Sequence, residues 1–352
     1  MTRIDDLMTP VPVVDEEVMA ANIARVQEFF DGLGRNFRPH IKTHKIPELA
    51  EAQLVAGARG INCQKVTEAE VFADAGFDDI LITYNILGAE KLARLAALNA
   101  RVRLTVVADN ATVVDGLADA FHPDRPLRIL VECETGARRN GVQTPEAAVE
   151  LARRITAAPG LIFEGLMTYP KPHGEAAVEA FFSETMALLD AAGLACPVRS
   201  HAGSPSLFNA ADVPSATEHR AGTYIYNDRK MVREGHCRIE DCAMHILATV
   251  VSCPTPDRCV LDSGSKTLTS DLSGFADHGL IVEHPGARIV SLSEEHGVVD
   301  LSDCASRPAV GDRVRIIPNH TCVVSNMFDR MVFHRQGTIT RTLPVRARGL
   351  VW

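Results

Sequence analysis

The stretch NFRPHIKTHKIPELAEAQLVAGARGINCQ, residues 36–64, reads as strand, helix, strand. NFRPHIK (36–42) and ARGINCQ (58–64) are apolar runs of strand length. Between them, IPELAEAQLVAG (46–57) has helical spacing and ends on Gly, a residue suited to a helix C-cap. The same alternation continues through six more apolar runs: DDILITY (78–84), RVRLTVVAD (101–109), LRILVEC (127–133), IFEGLMTY (162–169), PVRSHAG (197–203) and ATEHRAGTYIY (216–226). Helical patterns lie between them, including TEAEVFADAG, GAEKLARLAAL, TPEAAVELARRI and VEAFFSETMALLDAAG. Eight strands alternating with helices over roughly 200 residues predict a (β/α)8 TIM-like barrel. The competing architecture, an open doubly wound sheet, usually carries a Gly-rich phosphate turn after its first strand. The chain has no GxGxxG.

After Asn227 the helical spacing fades. The runs AMHILATVVSC, DRCVLDSGS, ARIVSLSEEHGVVDL, DRVRIIP and TCVVSNM are β-rich and separated by turn signals such as HPG and VGD. They predict a second, mostly β, C-terminal domain. The extended opening TPVPVVD (9–15) is expected to pair with it. The organisation expected is a barrel over residues 20–230, with residues 1–19 and 231–352 forming the β-rich domain.

Composition limits the function classes. The 352 residues carry 45 acidic and 36 basic side chains, a net charge of −9, which does not suit a nucleic-acid binder that needs a clustered basic surface. No apolar run approaches the ~18 residues of a membrane span. MTRIDDLMTPVPVVD has acids where a signal peptide has a basic and then an apolar segment. A soluble, cytoplasmic protein without nucleic-acid or membrane partners is expected. Its nine scattered cysteines read as reduced, mostly buried thiols, with Cys322 as the exception.

In such a barrel, chemistry collects at the C-terminal ends of the strands. Those ends carry Lys42, Gln64, Tyr84, Asp109, Arg139, Tyr169, Gly203 and Arg220. Lys42 falls at the mouth, where desolvation or nearby cations such as His40, His44 and Lys45 would leave its amine nucleophilic enough for a Schiff base. A solvated basic strand edge accounts for the same spacing. In PNHTCVVSNMFDR (318–330), His320 and Cys322 are two apart, so an extended backbone would turn them to one face. An imidazole and a thiolate there make half of a zinc site, although HxC also arises by chance.

RPHIKTHK (38–45), followed by GINCQKVTEAE (60–70), resembles the D-threonine aldolase and D-serine dehydratase family, pyridoxal-phosphate enzymes of the alanine-racemase barrel type. The resemblance covers nearly the whole chain. It implies that Lys42 carries pyridoxal 5'-phosphate as a Schiff base. ETGARRNGV resembles the loop whose arginine contacts the cofactor, which points to Arg139; LMTYP places Tyr169 beside the cofactor. SHAGSPS and EHRAGTY resemble the two phosphate-cup segments and imply Gly203, Ser204, Gly222 and Thr223 as phosphate contacts, partly through backbone N–H groups. Arg220 resembles the arginine that faces the pyridine nitrogen, where a cation keeps that nitrogen unprotonated and the ring a weaker electron sink. Family members carry a metal pair at the place of His320 and Cys322. The pair is H-x-C in the dehydratase branch and typically H-x-D in the bacterial aldolase branch. A thiolate favours Zn2+, with Mn2+ and Mg2+ as the alternatives. DSGSK (262–266) and EEHG (294–297) match family segments without an assignable role.

The resemblance implies a lyase acting on a D-3-hydroxy amino acid as its small-molecule substrate. The H-x-C pair and Arg220 favour a dehydratase of the D-serine or D-3-hydroxyaspartate type, releasing a 2-oxo acid and ammonia. Retro-aldol cleavage to glycine and an aldehyde is the alternative, and amino-acid racemisation a weaker one. A homodimer is implied by the family alone.

Overall fold

The computed structural model describes residues 2–352. The chain divides into two compact units. One comprises Met1–Arg25, Thr43–Ile46 and Thr223–Gly349; the other comprises Val26–Lys42, Pro47–Gly222 and Leu350–Trp352.

The first strand, β1 (Val11–Asp15), belongs to the former. The other unit is the barrel. Its strands are β2 (Asn36–Pro39), β3 (Ile61–Cys63), β4 (Asp79–Ile82), β5 (Arg103–Ala108), β6 (Leu127–Cys133), β7 (Leu161–Thr168), β8 (Val198–Ala202) and β9 (Glu218–Ala221). All are parallel and run in the order β2-β9-β8-β7-β6-β5-β4-β3, and a bridge from His40 to Asn62 brings the two edges together. The eight expected strands are therefore present, as a nearly closed parallel barrel.

Local chemistry starts the barrel helices where the sequence marks them. Thr144 accepts a hydrogen bond from Ala147 N at 3.2 Å, with Pro145 in the first turn of helix Pro145–Ala157. Asn110 does the same for Val113 N at 3.0 Å ahead of helix Ala111–Ala120. No long helix follows β8; short 3-10 turns at Ser204–Ser206 and Ala210–Asp212 take its place. The outer face of β9 is met instead by the last turns, residues 26–32, of helix Glu16–Gly32, whose Phe30 ring stacks on His219 at 5.0 Å and on Phe37 at 4.9 Å.

Leu81, Val107, Leu130 and Met167 fill the interior together with half-buried Val198. Each such side chain contributes about 1.5–3 kcal/mol on full burial. Gly165 is required for closure: its φ is +147°, and a Cβ there would lie 1.8 Å from the Val198 carbonyl oxygen. Below this layer, at the N-terminal mouth, a cavity of about 390 Å³ is lined by Arg38, Arg59, Glu164 and Glu218 among others.

The β unit has strands β10 (Met244–Thr255), β11 (Arg258–Leu261), β12 (Leu280–Ile281), β13 (Arg288–Leu292), β14 (Gly297–Asp300), β15 (Arg313–Ile317), β16 (Arg330–Arg335) and β17 (Thr338–Pro344). β10 is long enough to pair with β1, β11 and β15, which closes β10, β11, β14, β13, β12 and β15 into a ring. The opening segment pairs as expected, antiparallel with β10 and parallel with β16.

Three local expectations are corrected. NFRPHIK is a strand only to Pro39; Ile41–Thr43 is a 3-10 turn, so Lys42 stands on a turn beyond the strand end. ATEHRAGTYIY is a strand only over Glu218–Ala221, followed by a 3-10 turn at Thr223–Ile225. TCVVSNM is no strand: Thr321–Ser325 is a helix with His320 as N-cap. The buried Asp228 carboxylate explains the last one, because Oδ2 accepts from Thr321 N at 3.1 Å at the helix start.

Candidate functional site

The barrel unit holds Lys42, Arg139, Tyr169, Gly203, Ser204, Arg220 and Gly222; the β unit holds Thr223, His320 and Cys322.

In the barrel, Gln64 organises the lysine end. Its Oε1 accepts from Lys42 Nζ at 3.3 Å and from His40 Nε2 at 3.1 Å, and its amide donates to Thr83 O at 2.8 Å. A carboxamide oxygen only accepts, so His40 carries its proton on Nε2 and leaves Nδ1 facing the Lys42 backbone N–H at 3.5 Å. His44 and Lys45 of the motif make contacts within the β unit. His44 Nδ1 accepts from Ile46 N at 3.1 Å, and Lys45 Nζ donates to Ala347 O at 3.4 Å. A neutral amide, that of Gln64, is thus one of the groups that hold the Lys42 amine.

Arg139 lies over the Tyr169 ring at 4.4 Å, and its Nη2 is 3.7 Å from Glu132 Oε1. Glu132 is 2% exposed and its Oε2 has no hydrogen-bond partner. Burial raises its pKa, against the pull of Arg139 and Arg220. Arg220 is buried and donates three ways: Nε to Ser200 Oγ at 2.8 Å, Nη1 to Asn62 Oδ1 at 3.3 Å and Nη2 to Thr168 O at 2.9 Å. Burial lowers its pKa to about 10, so it stays cationic at neutral pH. β8 and β9 run in register, Ala202 beside Arg220, so the turns at Gly203–Ser204 and at Gly222 leave neighbouring strand ends. Gly203 has φ +119°, a conformation open to glycine, and its Cβ position would lie 3.8 Å from the Tyr169 ring.

In the β unit, His320 Nδ1 donates to Asp228 Oδ2 at 3.0 Å. Cys322 Sγ is 3.1 Å from Thr43 Oγ1 and 3.8 Å from Thr223 Oγ1. The Cys322 sulfur, against burial and together with Asp228, raises the imidazole to about 11. Spacing puts His320 and Cys322 close together, but on a helix start and not on an extended strand. Among the described residues, no three or more His, Cys, Asp or Glu side chains gather as a metal cage. The donor set still fits a metal: Asp228 takes Nδ1 and so directs Nε2 outward, the usual arrangement behind a ligating histidine. The barrel residues likewise fit pyridoxal phosphate, with a held amine, a buried cation and a glycine turn in the positive-φ region.

Gln64, Glu132, Asn62, Ser200 and Asp228 had no assigned role in the sequence. Only the position of Gln64 at a strand end pointed to it.

A parallel barrel with a lysine just past its first strand, joined in one chain to a β unit, defines the alanine-racemase-like class. Residues 14–230 match the family described as "Alanine racemase, N-terminal domain", and residues 243–334 match "Putative serine dehydratase domain". The chain is 33% identical to the D-threonine aldolase of Arthrobacter sp over 370 residues, covering 99% of this chain and 94% of that one. The solved D-threonine aldolase from Filomicrobium marinum superposes with a TM-score of 0.91 at 30% identity, covering 99% and 98% of the two chains. The D-threo-3-hydroxyaspartate dehydratase from Delftia sp. HT23 superposes at 0.88 with 28% identity over the whole of both chains. That dehydratase has also been solved with alanine at a histidine and with alanine at a cysteine two residues further on, the latter in a metal-free form. The chain belongs to the D-threonine aldolase and D-serine dehydratase family of alanine-racemase-like, pyridoxal-phosphate-dependent lyases.

Proposed function

We propose that the chain is a pyridoxal-phosphate- and metal-dependent lyase that dehydrates a D-3-hydroxy amino acid, of the D-serine or D-3-hydroxyaspartate kind, to a 2-oxo acid and ammonia. The observation that carries this reading is the group of Asp228, His320 and Cys322, with the Cys322 sulfur beside the imidazole that Asp228 holds.

In this reading Lys42 is the cofactor lysine and the base at Cα, with Gln64 orienting its amine. Arg139 and Tyr169 flank the cofactor, Gly203, Ser204, Gly222 and Thr223 hold its phosphate, and Arg220 faces its ring nitrogen. When bound, the cofactor supplies an electron sink for Cα, and a divalent ion at His320 and Cys322 supplies a Lewis acid for the 3-hydroxyl. Sulfur ligation favours Zn2+ over Mn2+ or Mg2+. Arg220, fixed as a cation, disfavours a long-lived charge on Cα and so favours elimination. A homodimer in the cytoplasm completes the reading, supported by the family likeness. Among the described residues no helix is long and apolar enough to cross a membrane.

Aldol cleavage is the second reading, favoured by the 33% identity to a D-threonine aldolase. Supplying D-serine, D-threonine and D-3-hydroxyaspartate separately decides between them. Oxo acid with ammonia is expected; glycine with an aldehyde would overturn the dehydratase in favour of the aldolase.

A further inference from the structure

A chain of hydrogen bonds crosses the barrel interior beneath Arg220. Arg220 Nε donates to Ser200 Oγ at 2.8 Å, Ser200 Oγ donates to Glu218 Oε1 at 2.7 Å, and Arg38 Nε donates to Glu218 Oε2 at 2.9 Å. Arg38 Nη1 continues to Asp79 Oδ1 at 2.7 Å. Arg38, Ser200, Glu218 and Arg220 are all buried.

The direction of this chain is fixed. A guanidinium has no acceptor, so the Ser200 proton can go only toward Glu218, and the serine lone pair is left for Arg220. With the Thr168 carbonyl and Asn62 holding its two outer nitrogens, the Arg220 guanidinium has one available plane. The carboxylate also acts on the charge. Burial pulls the Arg220 pKa down, whereas Glu218 and Glu132 raise it. Glu218 is itself compensated by Arg38, so its negative charge is not left isolated in the barrel.

We propose that Ser200 and Glu218 are positioning residues that hold Arg220 charged and in one orientation, so that the electron demand of the cofactor ring is set from inside the barrel. The proposal rests on the reading of Arg220 as the group facing the ring nitrogen. A barrel interior packed only for stability would need buried ion pairs but no ordered path ending at that arginine. The serine is the discriminating element: it carries no charge, it is small, and it joins two charged groups that do not touch through their own hydrogen bonds.

The test uses holoprotein reconstituted with ring-15N-labelled pyridoxal phosphate, whose nitrogen chemical shift reports protonation directly. Wild type is expected to show an unprotonated nitrogen between pH 6.5 and 8.5. Ser200→Ala is expected to move the shift toward the protonated position and make it pH-dependent. Its kcat should fall about ten- to a hundredfold, as for loss of a positioning contact, with KM little changed. Ser200→Thr, which keeps the hydroxyl, should restore the wild-type shift. If the alanine variant is not recovered folded, Ser200→Cys replaces it, since a thiol is a poor acceptor and the same change is expected.

Arg220→Glu separates the two levels. If this variant leaves the nitrogen shift unchanged, the reading of Arg220 fails. If it moves the shift while Ser200→Ala and Ser200→Cys do not, the Arg220 reading stands and the positioning role is overturned.

Discussion

Asp228 Oδ2 lies 3.0 Å from His320 Nδ1, while its Oδ1 accepts from Met231 N at 3.0 Å. One fully buried carboxylate thus caps the short helix Arg229–Arg233 and holds the histidine ring by its Nδ1–H. Asp228→Asn can keep the cap through its carbonyl oxygen, but it turns an amide donor toward Nδ1. Metal affinity is expected to fall about 10–100-fold, and stability by about 1–3 kcal/mol, because the same amide donor faces the buried Thr321 N–H that Oδ2 accepts from. Competition with a chromophoric chelator measures the first, and thermal unfolding of the metal-free protein the second. Unchanged metal affinity would contradict the proposed role of His320.

Glu132 predicts opposite effects on stability and function. Its pKa is raised by burial, so the charged form is penalised and the residue costs stability at pH values above its ordinary range. Glu132→Gln is therefore expected to raise the urea midpoint at pH 7. It also leaves Arg139 without its carboxylate, and kcat should drop about tenfold, a change of roughly 1.4 kcal/mol. Lower stability, or full activity, would show that the carboxylate serves only packing.

Two histidines predict an acid limit. His201 and His219 face each other through their Nδ1 atoms at 3.2 Å, both buried, with neither Nε2 partnered. Burial lowers His201 from 6.5 to about 3 and His219 well below its ordinary value. Because the folded values are depressed, the unfolded chain binds these protons first. Stability is full above pH 6.5 and is lost as the pH falls toward 3, by up to about 1.4 kcal/mol per pH unit for each histidine. His219→Phe, which keeps an aromatic ring against Phe30, should flatten the slope of unfolding free energy between pH 6.5 and 5. An unchanged slope would assign the loss to other groups.

The barrel was legible because its eight strands and intervening helices each keep their own period, and a motif as dense as RPHIKTHK picks out Lys42. What stayed hidden depends on partners distant in sequence. TCVVSNM has strand composition, and the cap that makes it a helix comes from Asp228, 93 residues before Thr321. Glu132 is one of two charged residues inside LRILVEC, and only the closed barrel shows that it lies near two arginines. Ser200 and Glu218 alternate with outward-facing His201 and His219, so the path to Arg220 appears only once β8 and β9 are in register. The final hairpin of β16 and β17 was also absent from the β-rich runs, although Gln336-Gly337, both at positive φ, is a two-residue turn signal.

The proposed chemistry depends first on Lys42 being the residue that holds the cofactor. Holoprotein reduced with borohydride and digested should yield a single pyridoxyl-bearing peptide, modified at Lys42, and Lys42→Arg should yield none. Label at Lys45 or any other lysine, or label retained in the Lys42→Arg protein, would contradict it.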